Sequence, residues 1–401
     1  MTRIQKLQAN IWKYYIMRIF VKRLVWPILT IYLVRNQLTA TQIGIVFSVG
    51  TVIGMLLEVP SGVIADRIGR RASMTLSFIG QAFSMLVLSI STEFWGFLIG
   101  NALYFASTSL FTGTHSAFMY ETLHELGRSK EVKKVFGKAT YISQVSTGIL
   151  FVGVPLLAEY SLKLPFYINT VVLFVAAVLT WSFTEPARVK SVAGDEGFQN
   201  MSAIKQFLSQ PLLLSFSLAT GFLTGVNGIL EDFRQVYLDF IHLDIAYFGV
   251  VYLGLRFLTG YFGTKTDWME SKIGRKNLLL LLPLVSLITY IGLFLFNSFY
   301  GLLFIVLDGI QGGLMRPVEQ EYIQSLVSND KRVTLLSIDN LVQSLIRAGA
   351  VFVGGVVIDR FGIQYGFFFS AMLVILIAFP LFVSFLRKAE QQKMFLDEQM
   401  L

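Results

Sequence analysis

Apolar runs of 18 or more residues recur along the whole chain, separated by short polar intervals. A membrane-spanning helix needs about 20 predominantly apolar residues. The pattern therefore predicts spans near 11–34, 41–64, 72–91, 94–122, 137–159, 165–184, 209–237, 246–264, 277–296, 300–326, 333–358 and 364–386. The predicted fold class is an all-α integral membrane protein with twelve transmembrane helices. The longer spans can tilt or protrude. In the first run Arg18, Lys22 and Arg23 interrupt the apolar pattern, and no small-residue cleavage site follows. It reads as a helix and not as a signal peptide. The longest polar interval, 185–206, contains Glu185, Pro186, Arg188, Lys190, Asp195 and Glu196 and reads as a linker. It divides the chain into a six-helix half at 1–184, a central loop at 185–206 and a six-helix half at 207–401.

Composition agrees with the pattern. Of 401 residues, 54% are hydrophobic and only 14% charged, with a mean hydropathy of +0.64. Soluble domains carry about a quarter charged residues, and disorder requires low hydrophobicity, so both classes are excluded. The net charge of +8 would suggest nucleic acid if the basic residues were clustered on a soluble surface. Their positions say otherwise. With the N-terminus placed in the cytoplasm, the outer segments hold only Arg35, Lys163 and Arg360. The inner segments hold the large majority, among them Arg67, Arg70, Arg71, Arg128, Lys130, Lys133, Lys134, Lys272, Arg275 and Lys276. This is the positive-inside distribution of a multi-pass protein. It predicts the cell (plasma) membrane, both termini cytoplasmic, the lipid bilayer as partner and no nucleic acid.

Chemistry is bounded as well. There is no cysteine, and the three histidines, His115, His124 and His242, are scattered, so no metal or other cofactor is expected. No Walker-type phosphate loop is present, which argues against ATP as a direct energy source. The polar intervals are too short to carry a reactive cluster or a receptor surface, which leaves a membrane enzyme or receptor a distant third reading.

The halves echo each other. After the second predicted helix the chain reads Gly62-Val-Ile-Ala-Asp66-Arg67-Ile-Gly69-Arg70-Arg71. Half a chain length later it reads Gly263-Thr-Lys-Thr-Asp267, then Gly274-Arg275-Lys276. Internal repeats of this kind mark secondary transporters. The pattern G-x-x-x-D-R-x-G-R-R on the loop between helices 2 and 3 resembles the signature of the major facilitator superfamily, and the resemblance covers the full length. Glu58-Val-Pro60-Ser-Gly62 ahead of it, and Arg332-Val-Thr-Leu-Leu-Ser-Ile opening the eleventh helix, resemble a bacterial drug-efflux branch.

The resemblance implies two pseudo-symmetric six-helix halves and a small-molecule substrate moved by alternating access. It also implies a charge cluster at Gly62, Asp66, Arg67, Gly69, Arg70 and Arg71 that gates the cytoplasmic side, with Glu121 its acidic partner. Family members are mostly monomers. Two departures stand beside it. Helix 4 has no arginine where family antiporters often carry one, and the helix 5 antiporter signature survives only as Gly148, Gly153 and Pro155.

Charges inside spans sharpen the expectation. The acids are Glu58, Glu121, Glu231, Asp232, Asp308, Glu319, Glu321 and Asp339; the bases are Lys13, Arg18, Lys22, Arg23, Arg234, Arg256, Arg316 and Arg347. Each costs roughly 2.5–3.5 kcal/mol at a helix centre facing lipid, so they must pair, face water or reach the headgroups. Lys13 and Arg18 can snorkel. Polar stripes at helical spacing mark wet faces. Helix 7 carries Thr220, Thr224, Asn227, Glu231 and Arg234; helix 10 carries Asp308, Gln311, Met315, Glu319 and Tyr322; helix 4 carries Asn101, Tyr104, Thr108, Thr112 and His115. In the resembled fold helices 1, 4, 7 and 10 line the central cavity.

Candidate proton-coupling residues are therefore Glu58, Glu231, Asp232, Glu319 and His115. Glu58 is expected as a buried carboxylate or as a packing partner of the motif, and His115 as a relay or as a satisfied bundle histidine. Candidate cavity residues are Lys22, Arg23, Tyr104, Thr108, Thr112, Asn227, Arg256, Asp308, Gln311, Arg316 and Arg347. Structural ion pairs would account for some of them, Arg316 with Glu319 at i, i+3 in particular. The function expected is proton-coupled export of amphipathic organic compounds or drugs. The alternative is an anionic metabolite or lysolipid carried by symport, uniport or flipping.

Overall fold

The computed structural model describes residues 2–21, 23–188, 205, 207–326 and 332–391. Lys22 and most of the central loop lie outside the described residues. Among those described there is no strand; the chain is helix joined by tight turns. In order, the helices are α1 (Arg3–Phe20), α2 (Leu29–Arg35), α3 (Ala40–Ile68), α4 (Arg70–Ile90), α5 (Phe94–Ser109), α6 (Thr114–Glu125), α7 (Val132–Tyr160) and α8 (Leu164–Trp181). After the central loop come α9 (Pro211–Phe240), α10 (Phe248–Gly263), α11 (Thr266–Ile273), α12 (Arg275–Leu295), α13 (Leu302–Leu326), α14 (Arg332–Phe361), α15 (Ile363–Leu373) and α16 (Phe379–Gln391).

Among the described residues, 11 helical segments are long and apolar enough to cross a membrane. They coincide with all but the first of the predicted spans. The first is broken: α1 stops at Phe20, a 3-10 turn follows at Trp26–Ile28, and α2 resumes at Leu29. Arg23 within the gap and Pro27 after it give the reason. A charge disfavours a lipid-exposed helical position, and proline supplies no N–H to the helical ladder. The backbone group freed at Leu24 is satisfied by Asn169 of α8, whose side-chain oxygen accepts its N–H at 3.0 Å.

The fourth predicted span is also interrupted, between α5 and α6. Gly113 adopts φ +76° there, a conformation that glycine reaches at little cost. The last span carries a π-helical segment, Val374–Ala378, between α15 and α16. Pro60, Pro155, Pro283 and Pro317 sit inside helices.

The described chain forms two compact units. The first comprises Met1–Leu38, Val49–Asp195 and Asp244–Tyr252; the second comprises Thr39–Ser48, Glu196–Leu243 and Leu253–Leu401. The unit boundaries thus run through α3 and α10 as well as the central loop. In the first unit α4 packs against α8 and α5. Small hydroxyl residues make the contact with α5: Ser77 donates to the Ser107 carbonyl at 2.6 Å and Ser84 to the Gly100 carbonyl at 2.7 Å. In the second unit α9 packs along α14. Gly225 permits the approach, since a Cβ there would stand 3.1 Å from that of Ala350. Lipid removes most of the hydrophobic drive between helices, so close small-residue contacts and hydrogen bonds hold such pairs together.

Candidate transport site

In the first unit the motif residues gather at the start of α4. Gly69 has φ +99° and turns the chain directly from α3 into α4. Arg70 pairs with Asp66 at 2.9 Å, and its Nε lies 3.7 Å from Glu121 of α6. Glu121 is buried; Asp66 and Arg67 are exposed, and the space beside Gly62 is open. Arg71 lays its guanidinium over Trp181, 4.6 Å from the ring centroid.

Sequence reading missed one member of this cluster. Glu185, beyond the end of α8, accepts the main-chain N–H of Arg70 at 2.6 Å and of Arg71 at 2.8 Å. The first N–H groups of a helix have no partner within it, and a carboxylate there also meets the positive end of the helix dipole. The available signal was that Gly69, as N-cap, brings no side chain to do this. The segment leading to Glu185 is itself tied down: Asn10 exchanges two hydrogen bonds with Thr184, at 2.8 and 3.0 Å. Glu125 joins Arg3 at 2.7 Å and accepts the Ala187 N–H at 2.5 Å.

The second unit repeats the device. Gly274, φ +80°, precedes α12. Arg275 pairs with Glu270 at 2.5 Å and with Glu321. Glu270 thus takes the place that Asp66 holds in the first unit, which the spacing had suggested for Asp267.

The break in the first predicted span puts Arg23, 6% exposed, inside the first unit. Its Nη2 donates to the Asn101 side-chain oxygen at 2.7 Å, and the guanidinium lies 4.2 Å from the centroid of the Tyr104 ring. The break after α5 interrupts the expected stripe of helix 4. Thr108 and Thr112 turn their hydroxyls onto the carbonyls of Tyr104 and Thr108, and Thr112 is exposed. His115 stacks on Phe111, and its Nδ1 is 3.0 Å from the Tyr14 hydroxyl. Glu58 is exposed, so the burial expected of it is absent from this structure.

In the second unit the stripes of helices 7 and 10, now α9 and α13, do meet. Asn227 donates to Gln311 at 3.0 Å and accepts from the Tyr290 hydroxyl at 2.7 Å. Arg234 pairs with Asp308 at 2.6 Å. Arg347 of α14 reaches Glu231 at 3.3 Å and Asp232 at 3.1 Å. Glu231 also lies in the field of Arg234 and Arg256. Two acids differ from these. Gln343 of α14 donates through Nε2 to Glu319 and, at 2.9 Å, to Asp339; Ser217 donates to the other oxygen of Asp339. Among the described residues neither Glu319 nor Asp339 has a cation within 4 Å. The alternative of an Arg316–Glu319 ion pair is not formed: Arg316 is exposed, with Pro317 between the two, and its charge reaches Glu319 only through space.

The residues thus supply a bundle of apolar spans with buried charges met by opposite charges or by neutral donors, and a charged turn at the start of α4. Such a bundle lets polar solutes meet polar groups at membrane depth. Among the described residues no His or acid cluster of metal-binding kind occurs.

The Major Facilitator Superfamily model matches residues 12–296 and 241–399. The chain belongs to this superfamily; it is a membrane transporter and not an enzyme. It is 22% identical over 371 residues to the multidrug resistance protein MdtG of Enterobacter lignolyticus (strain SCF1), covering 88% of this chain and 85% of that protein. It is 23% identical over 375 residues to YxaM, an uncharacterised MFS-type transporter of Bacillus subtilis (strain 168), covering 88% of each. Among solved structures, the nucleoside transporter NupG superposes with a TM-score of 0.79 at 12% identity, over 96% of this chain and 100% of that one. A bacterial homolog to the human lysosomal transporter Spinster superposes with a TM-score of 0.75 at 15% identity, over 96% and 98%. These likenesses show the fold.

Proposed function

We propose that the chain is a secondary active exporter of amphipathic organic compounds, driven by protons and working by alternating access of its two halves, 1–184 and 207–401. The observation that carries the coupling is the arrangement of Glu319 and Asp339. Both lie inside apolar spans, and their hydrogen-bond partners are neutral: Gln343 and Ser217. An ionised carboxylate with no cation in contact is costly there, so gaining or losing a proton changes the cost of enclosing it. A ligand with different affinities for two states shifts their populations, and a proton is such a ligand. Arg347 meets Glu231 and Asp232, and Arg234 meets Asp308, so these acids serve as structural or substrate-facing ion pairs. The cargo class rests on the 22% likeness to MdtG.

The turn holding Asp66, Arg70, Glu121 and Glu185 serves as the gating element. The transporter works as a monomer in the cell membrane with both termini in the cytoplasm.

Purified protein in liposomes tests the coupling. With an imposed proton gradient, wild type is expected to accumulate a fluorescent lipophilic cation against its gradient, and Glu319→Gln or Asp339→Asn to bind it without accumulating it. Equal accumulation by both variants would remove these acids from the coupling.

A second reading, transport of an anionic metabolite or lysolipid, is favoured by the buried Arg23, held by the Asn101 amide and the Tyr104 ring. Uptake of a labelled anion that is lost in Arg23→Gln would support it.

A further inference from the structure

Val171, Phe174, Val175, Val178 and Leu179 of α8, with Ser182 just beyond its end, line a shallow, open groove of about 560 Å³. The spacing places all six on one helical stripe. Val171, Phe174, Val175 and Val178 are exposed. In a membrane-spanning helix such a stripe faces acyl chains, which by itself describes many helices.

The Ser182 end is different, because two cations converge on the turn at Trp181, Ser182 and Phe183. Lys13 of α1 donates its ammonium to the Ser182 carbonyl at 2.6 Å. Arg71 of α4 donates to the Phe183 carbonyl at 3.4 Å while its guanidinium covers the Trp181 ring. Among the described residues neither cation has a carboxylate oxygen within 4 Å of its side-chain nitrogens. Glu185 engages only the main-chain N–H of Arg71. Capping the end of α8 occupies one donor of each group, whereas an ammonium has three and a guanidinium five. Trp181 is 58% exposed at the end of its span, where an indole sits at headgroup level. An apolar groove thus ends in two positive charges and an interfacial ring, all within the first unit.

We propose that this groove is a binding site for an anionic glycerophospholipid. One acyl chain lies along Val171, Phe174, Val175 and Val178, and the phosphate sits between Lys13 and Arg71. The apolar stripe selects a lipid over a soluble anion, and the uncompensated cations select an anionic headgroup over a zwitterionic one. Arg71 and the Glu185-capped start of α4 belong to the gating turn, so occupancy of the groove bears on that turn. The binding itself does not depend on what the transporter carries.

The test is native mass spectrometry of the full chain, titrated with phosphatidylglycerol or phosphatidylcholine of identical acyl chains. Wild type is expected to retain phosphatidylglycerol in preference. Lys13→Gln and Arg71→Gln should each weaken that lipid about fivefold, and the double variant about 30-fold, at the usual worth of a cation beside an anionic headgroup. Retention of phosphatidylcholine should not change. Val178→Trp, which fills the groove and keeps both charges, should lower retention of both lipids. Lys163→Gln, at the opposite end of α8, should change neither. Equal preference in wild type and Lys13→Gln, or undiminished retention in Val178→Trp, would overturn the proposal. If the double variant fails to fold, Lys13→Gln and Val178→Trp decide it.

Discussion

Gln343 holds two carboxylates with one amide group, and this is where a single side chain matters most. Replacing it with leucine leaves the Glu319 and Asp339 oxygens without that donor, though Ser217 still serves Asp339. Removing a donor from a buried acceptor costs about 1–3 kcal/mol. Gln343→Leu is therefore expected to lower the midpoint of thermal unfolding in detergent, while the shape-preserving Gln343→Glu loses coupling as well. Asn169 offers a simpler case. Its oxygen accepts the N–H of Leu24 in the broken stretch after α1. Asn169→Leu is expected to destabilise the chain by about 1–3 kcal/mol, read from the same melt; an unchanged midpoint would mean that another acceptor serves Leu24. Residue identities hinted at the polar stripes of α9 and α13, and Asn227–Gln311 and Arg234–Asp308 do join them. They could not reveal Gln343 as the partner of Glu319, because that contact depends on how α14 is rotated against α13. Arg316 was the nearer choice by spacing alone.

Helices repeat the lesson at larger scale. Eleven spans were legible because apolar length is a sufficient signal in a bilayer. The breaks were not, because hydropathy does not register backbone conformation. Arg23 and Pro27 signalled the first one only in hindsight, and Gly113 the second. The start of α4 is the element most open to test. Gly69 holds φ +99°, and a Cβ there would stand 3.1 Å from Glu185 Oε1. Gly69→Ala is expected to cost about 1–3 kcal/mol from backbone conformation alone, plus the displacement of the Glu185 cap. Glu185→Ala removes the cap and keeps the backbone, and is expected to cost about 0.5–2 kcal/mol. A thermal melt compares the two, and Gly69→Ala should be the more damaging. Equal midpoints for wild type and Glu185→Ala would mean that the carboxylate contributes nothing to this helix start. Glu185 escaped sequence reading because it lies far along the chain from the helix that it caps.

For the whole molecule, the distribution of basic residues fixes an expected orientation, and the superfamily fixes the class of activity. Energy source and cargo follow from less. The repeated charged turn, Arg70 with Asp66 and Glu121, then Arg275 with Glu270 and Glu321, gives both units the same device at the same kind of helix start. Neutralising one of them with Arg70→Gln is expected to slow transport at least about tenfold while binding persists, as loss of a conformational step and not of a substrate contact would. Substrate binding by fluorescence, set beside transport in liposomes, separates the two.

In the proposed cycle, proton movement and compound movement are linked. Inverted membrane vesicles with an acid interior, read by a pH-sensitive dye, address it directly. Lipophilic cations, zwitterions and anions are added in turn to vesicles carrying wild type, Glu319→Gln or Asp339→Asn. At least one lipophilic cation is expected to discharge the gradient in wild type and in neither variant. A protein that leaves the gradient intact for every compound, yet still moves a labelled anion or lysolipid, would contradict the proposed cycle.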